Sequence, residues 1–347
     1  MDQLRRSPES ANAAAHVRPD SARDGRSTGS AQLEACGFFV LRAPLLSVDA
    51  WRQWCDTGDL AGQRAQLRAQ LERPEVREAI AVASPSLLVG LPQWIREPQS
   101  EGGQKIERAL VRYLSRMSTR PTPFGLFAGC GVGTIGARTG IRVGPSAAHR
   151  RRTRLDNDYL DQLARRVSKS PELRHALRYR PNSSLYEGGG KMRYVVPRFS
   201  GTGRTFDLAV LDLNEYLDVA LLIARAGATA IEIAQAIVDH DPEVTHADAL
   251  GFVDGLVDAY VLVSELEPTV TGREPIHEMI ASLEPVAAAS EVVATLVQVR
   301  DTLANIDGER LGQAHDARYA AMAETLAQLC EGADTRRLLQ VDMQLGL

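Results

Sequence analysis

Aromatic residues make up only 5% of the 347 positions, and the four cysteines (Cys36, Cys55, Cys130, Cys330) are scattered with no Cys-x-x-Cys spacing. That pattern argues against both a disulfide framework and a thiolate zinc site, and it suits a reducing cytoplasm. No apolar run approaches the roughly 18–20 residues of a membrane span. Arg5 and Arg6 open the chain without an apolar stretch behind them, so no secretory signal is expected. A Gly-x-Ser-x-Gly elbow and a Walker-type loop are both missing. The seven histidines show no metal-ligand pairing, His240 and His246 read as turn residues, and no metal is expected. Gly131, Gly133 and Gly136 do spell Gly-x-Gly-x-x-Gly. Yet Arg138 to Val143 reads as strand, where a dinucleotide site needs a helix.

What the chain does have is length for a substantial core, in one large or two smaller domains. It also has a sharp charge asymmetry beneath its net charge of −4. Residues 1–144 balance to +5, 145–205 to +9 and 206–347 to −18. The middle segment, with Arg150, Arg151, Arg152 and Arg154 at its start, could contact a phosphate backbone. It could equally be a basic surface neutralised by the acidic third of the same chain.

Residues 1–30 are rich in Ser, Ala, Arg and Asp and cannot bury enough surface to order themselves, so a disordered tail is expected. Gly37 to Pro44 is a compact apolar run, read as the first strand. Helical patterns follow at Leu60–Leu71 and Glu75–Val82. From Gln104 to Ser118, Ile106, Leu110, Leu114 and Met117 put one apolar stripe on a helix. Arg112, Arg116 and Arg120 follow the four-residue step on a neighbouring face, either as a solvated stripe or as a cationic surface. Pro121 and Pro123 end that helix, and the glycines from Gly125 onward read as a turn into a short buried strand. Thr134 to Val143 is read as strand. Asp156 or Asn157 is placed to cap the helix that runs on through Val167.

Residues 183–267 read as a unit. Leu185 to Arg198 carries two β-type runs around a triple-glycine turn, with Met192, Tyr194 and Val196 alternating with Arg193 and Val195. Helical patterns follow at Asn214–Ala226, Thr229–His240 and Thr245–Val263, with Thr229 and Glu232 at capping-box spacing. Beyond Pro268, helical patterns span His277 to about Pro285, Ala287–Ile306 and Ala317–Cys330. The chain ends on an apolar, strand-like segment holding Asp342.

The string from Arg116 through Arg120, Thr122, Pro123, Phe124, Gly125 and Phe127 to Gly129 closely resembles the signature near the start of lantibiotic dehydratases of the LanB type. The resemblance extends from about Gly37 to the C-terminus. It implies an α+β fold with mixed sheets, many helices and an inserted winged-helix-like module (a β-hairpin plus three helices) that recognises precursor peptides. The expected parts are the dehydratase region with its signature (31–182), the module (183–267) and a helical continuation (268–347). In that family an extended leader peptide adds a strand to the hairpin edge and rests against the third helix. Here that points to Arg193, Tyr194, Val195 and Val196.

By the same resemblance, a Ser or Thr hydroxyl of a ribosomal precursor peptide attacks the ester carbonyl of glutamyl-tRNA, and the glutamyl ester is later eliminated. No cofactor beyond that co-substrate is implied. Such transfer needs oxyanion donors, a proton acceptor and cationic anchors for phosphates. The matching positions are Arg116, Arg120, Thr122, Asp156 and Asp342, with Arg150, Arg151, Arg152 and Arg154 on the tRNA. Asp156 resembles the family's functional acid, although its spacing alone favours a helix cap. Family members carry a longer glutamylation region and a lyase region, so a truncated or split product that needs a partner chain is expected. Two other readings stay open: a ligase that appends an amino acid from aminoacyl-tRNA to a peptide scaffold, and a non-catalytic leader-binding module.

Overall fold

Periodicity and capping account for most elements of the computed structural model, which describes residues 34–200, 203–334 and 337–347. The tail expected at 1–30 lies outside the described residues. In chain order, the first part holds β1 (Phe38–Pro44), α1 (Val48–Asp56), α2 (Leu60–Glu72), α3 (Pro74–Ala83), α4 (Pro85–Arg96), α5 (Glu101–Thr119) and β2 (Ala128–Thr134). Next come β3 (Arg150–Leu155), α6 (Asn157–Val167), α7 (Pro171–Ala176), β4 (Arg178–Pro181), β5 (Tyr186–Gly188), β6 (Lys191–Ser200) and β7 (Gly203–Asp212). Then α8 (Glu215–Ala224), β8 (Ala228–Thr229), α9 (Ala230–His240), α10 (His246–Asp258) and β9 (Leu262–Ser264) follow. The chain closes with α11 (Pro275–Leu283), α12 (Ser290–Gly308), α13 (Asp316–Leu329) and β10 (Leu339–Gln344). The fold is therefore a mixture of many helices with several sheets.

The sheet that positions the candidate site has the order β1-β2-β10-β3. β1 and β2 are antiparallel, β10 runs parallel to β2, and β3 is antiparallel to β10. Gly129 is required where β2 meets β10, because a β-carbon there would strike the Met343 carbonyl. The short strand expected after the Gly125 turn is β2, at Ala128–Thr134, whereas the further strand expected at Thr134–Val143 is not formed. The reason is the partner. The β1 ladder starts at Phe38, its last rung is the Ile135 amide donating to the Gly37 carbonyl, and among the described residues no strand pairs with 136–143.

Two apolar cores flank this sheet. The first gathers α2 to α5, the Leu126–Phe127 segment and the Val341, Met343 and Leu345 side of β10. The second runs from Leu155 to Leu338 and gathers α6 with the helices and small sheets that follow. β3 lies on the boundary. Its alternate residues Arg151 and Thr153 point inward, where Thr153 donates to the Asp307 carboxylate through both its amide and its hydroxyl, each at 2.7 Å. The sheet β5-β6-β7 is followed directly by α8, α9 and α10. The Thr229–Glu232 capping box expected for α9 is present. No helix among the described residues is long and apolar enough to cross a membrane.

Candidate functional site

Helix α5 starts at Ser100, whose hydroxyl accepts from the Gly103 amide, and buries Leu110, Leu114 and Met117 on the expected stripe. It stops at Arg120, an extended residue whose amide still reaches the Arg116 carbonyl at 3.2 Å. Pro121 and Pro123 lack the N–H needed to continue. Gly125 then adopts a positive φ of 52°, which lets the chain turn back and bury Leu126 and Phe127. The elbow is pinned to the fold by Leu45 donating to the Phe127 carbonyl and Leu46 to the Met117 carbonyl, both at 2.9 Å. It lies beside β10, since a β-carbon on Gly125 would sit 3.9 Å from the Val341 carbonyl oxygen.

The three arginines of the four-residue step do not behave alike. Arg112 and Arg120 are exposed, as is Thr122. Arg116 is half-buried, and its guanidinium carbon sits 4.1 Å from the centre of the Phe124 ring. Phe124 leans on Phe127 at 5.5 Å, and Phe127 on Tyr113 at 5.0 Å. Among the described residues no carboxylate pairs with Arg116, and its buried Nε has no hydrogen-bond partner.

A second set of arginines lies on β3. Arg150, Arg152 and Arg154 alternate outward, opposite Gln344, Asp342 and Gln340 respectively. Asp342 pairs with Arg154 at 3.2 Å, and Arg154 also donates to Gln340 at 3.3 Å. Arg152 reaches Glu274 at 3.5 Å. Among the described residues, neither Asp342 nor Asp156 pairs with Arg116 or Arg120. Asp156 caps α6 instead, accepting from the Asp158 amide at 2.9 Å, as its spacing suggested.

Arg151 is a correction. Its side chain is 0% exposed and donates to Glu78 at 2.6 Å, to the Arg310 carbonyl at 3.2 Å and to the Ile306 carbonyl. A strand turns alternate residues to opposite faces, so Arg151 is sealed between the two cores and no phosphate can reach it.

The hairpin residues need a second correction. Arg193, Tyr194, Val195 and Val196 lie on β6, the central strand of its sheet. Tyr194 and Val196 face the core, and the Tyr194 hydroxyl donates to the Ala259 carbonyl. The Val195 amide donates to Ser184 Oγ at 2.9 Å, and its carbonyl accepts from Asn182 at 3.0 Å. These backbone groups are therefore already closed. The open edge belongs to β7. Because the Val195 backbone points away from β7, its partner Leu208 points its own N–H and C=O outward, and so do Phe206 and Val210. Their side chains share the solvent face, at 61% (Phe206), 59% (Leu208) and 48% (Val210) exposure.

Residues 72–346 match the family described as "Lantibiotic dehydratase, N terminus". This chain belongs to that family. It is similar to the subtilin biosynthesis protein SpaB of Bacillus subtilis, with 24% identity over 89% of this chain and 29% of the relative. It is also similar to the epidermin biosynthesis protein EpiB of Staphylococcus epidermidis, with 21% identity over 88% of this chain and 30% of the relative. Among solved structures, the tRNA-dependent lantibiotic dehydratase MibB from Microbispora sp. 107891 shares the fold with a TM-score of 0.66 and 24% identity, over 89% of this chain and 29% of that one. The glutamylation domain TbtB from thiomuracin biosynthesis aligns with a TM-score of 0.56 and 19% identity, over 82% of this chain and 34% of that one. The chain thus spans about three-tenths of the length of the relatives it matches.

In this dehydratase N-terminal region, the elbow packs on the face of β10 that holds Val341 and Met343, while Asp342, Arg154 and the outer arginines alternate to the other face of the sheet. No group of three or more His, Cys, Asp or Glu among the described residues is placed to hold a metal. An unpaired, planar guanidinium can take a carboxylate or phosphate through two parallel N–H bonds. Sequence reasoning overlooked the β7 edge, although the alternation Phe206, Leu208, Val210 was there to show it.

Proposed function

We propose that the chain supplies the substrate-binding part of a dehydratase that moves glutamate from glutamyl-tRNA to a Ser or Thr hydroxyl of a ribosomal precursor peptide. The observation that carries this reading is Arg116, held at the elbow beside the Asp342 strand with no carboxylate of its own. In this reading Arg116 and Arg120 grip the glutamyl carboxylate and stabilise the oxyanion formed when the hydroxyl attacks the ester carbonyl. Thr122 orients Arg120 from the same loop. Arg150, Arg152 and Arg154 hold tRNA phosphates. Asp342 steadies Arg154, and Asp156 and Asp342 are the carboxylates available to assist proton transfer.

The precursor peptide docks in an extended form on the β7 edge of a winged-helix-like module formed by β5-β6-β7 and α8 to α10. Main-chain bonds to Phe206, Leu208 and Val210 give affinity, and their exposed side chains give an apolar footing. The later elimination, and the rest of the transfer site, come from a further segment or partner chain.

The test is to combine the chain with labelled glutamyl-tRNA, the precursor and the neighbouring gene product, and to weigh the peptide. Arg116→Ala should lower glutamylation about a hundredfold or more, and Arg120→Ala should also abolish it, both with peptide affinity intact. Unchanged transfer in both variants removes the site. Leu208→Pro should weaken peptide binding, since it deletes an outward N–H and leaves the hairpin ladder whole. Equal affinity there moves the peptide elsewhere.

A further inference from the structure

Among the described residues, arginine stacks on phenylalanine in two places, and the two differ in one respect. At the end of the β6-β7 hairpin, Arg165 and Arg204 lie 3.5 and 5.0 Å from the centre of the Phe199 ring. Both are tied to one carboxylate, Asp161, at 3.0 and 2.6 Å. Both arginines there share a carboxylate partner, and the cluster fastens the hairpin to α6. At the elbow, Arg116 lies 4.1 Å from the Phe124 ring centre with no acid near enough to pair.

A ring holds a guanidinium by its flat face and leaves the N–H groups in the plane unused. A carboxylate partner would consume those same N–H groups. We infer that Phe124 is a positioning residue: it fixes the Arg116 guanidinium by its face so that the terminal in-plane N–H groups stay open for an incoming carboxylate. The inference rests on the proposed role of Arg116 as the glutamyl anchor. Phe124 is held for this task from behind. Gly125 turns the backbone under it, and Phe127, fully buried and braced by Tyr113, supports its ring. Phe124 itself stays 44% exposed, as a platform beside an accessible ligand must. A ring in this position that served only to fill the core would be buried.

The experiment uses the full chain with Phe124→Leu and Phe124→Tyr, and an amide-linked glutamyl-adenosine as the probe. Binding is followed by calorimetry, and the Arg116 Nε–H by NMR with labelled arginine, assigned through Arg116→Lys. Leu should weaken probe binding about tenfold, as loss of a partly desolvated cation–π contact implies. It should also move the Arg116 resonance out from under the ring current. Tyr should restore both. In an Arg116→Lys background the Leu change should add little, because both act through one contact. Unchanged affinity, or an unmoved resonance, in a Phe124→Leu protein with wild-type thermal unfolding overturns the inference. Failure of the wild-type chain to bind the probe at all would instead bring down the anchor reading, and this inference with it.

Discussion

The two apolar cores are built to different plans. The first packs helices α2 to α5 against one face of a four-stranded sheet, with Trp94, Leu110 and Phe127 at its centre. The second is mostly helix on helix, with only short strands among its members. Between them runs a polar seam centred on β3. There Arg151 meets Glu78, Thr153 meets Asp307, and the Gly312 amide donates to the second oxygen of Glu78 at 2.5 Å. His315 sits buried beside it, with Arg318 at 3.0 Å from its Nδ1. Apolar contact is non-directional, so it makes each core cohesive without fixing how the two are set against each other. Charge-assisted hydrogen bonds fix that relation because they depend on direction. The open face of β3, with Arg150, Arg152 and Arg154, inherits its placement from the closed one.

Breaking the seam should therefore separate the cores. Arg151→Ala leaves Glu78 buried without its partner and should cost about 3–5 kcal/mol. In calorimetry the single transition should divide, with one core melting before the other. A single transition shifted by less than about 1 kcal/mol would mean that apolar contact already joins them. A change confined to the second core should be smaller: Thr229→Ala removes the α9 cap and should cost about 1 kcal/mol. Hydrogen exchange should register it in α8 to α10 and leave α5 untouched. Equal loss of protection in α5 would show that the cores open together.

The gentlest probe is pH. Burial holds His315 below the ordinary histidine pKa, with the nearby Arg151 charge adding to the effect, and burial alone does the same for His149. His149 Nδ1 accepts from the Gly346 amide at 3.1 Å, a bond that needs the neutral ring. As pH falls below about 6.5, the unfolded chain binds protons that the folded one refuses. Their contribution is thus present above that value and lost as the pH drops through the folded values. Asp307, raised by burial, acts in the opposite sense in a more acidic window. Replacing both histidines by Gln should flatten the dependence of denaturation midpoint on pH between about 5 and 7. A slope that survives the double change would place its source elsewhere.

Much of this was legible in advance. The apolar stripe on α5, the proline stop after Arg120, the triple-glycine hairpin turn and the Thr229 capping box are all local, and each was readable from spacing. Asp156 was read both as a cap and as a functional acid, and the structure shows it capping α6. The run Arg150–Arg154 read as one basic patch because its strand period was not applied. Once β3 forms, Arg151 is carried to the inner face while its neighbours stay outside. The peptide-docking residues were placed on β6 because that strand's alternation is the plainer one. Which strand keeps a free edge depends on β5, Asn182 and Ser184 closing the other side.

The sequence by itself determined where helices start and stop, which face of each is apolar, and that an elbow with clustered arginines follows α5. These are matters of short-range sterics and hydrogen bonding, complete within a few residues. Only the tertiary structure decided that β10 inserts between β2 and β3, bringing Asp342 to Arg154 and the Val341 backbone to the elbow. It alone decided which arginine is sealed in, which is paired and which is left open on a ring. Those outcomes depend on contacts between residues far apart in the chain, and no local spacing carries them.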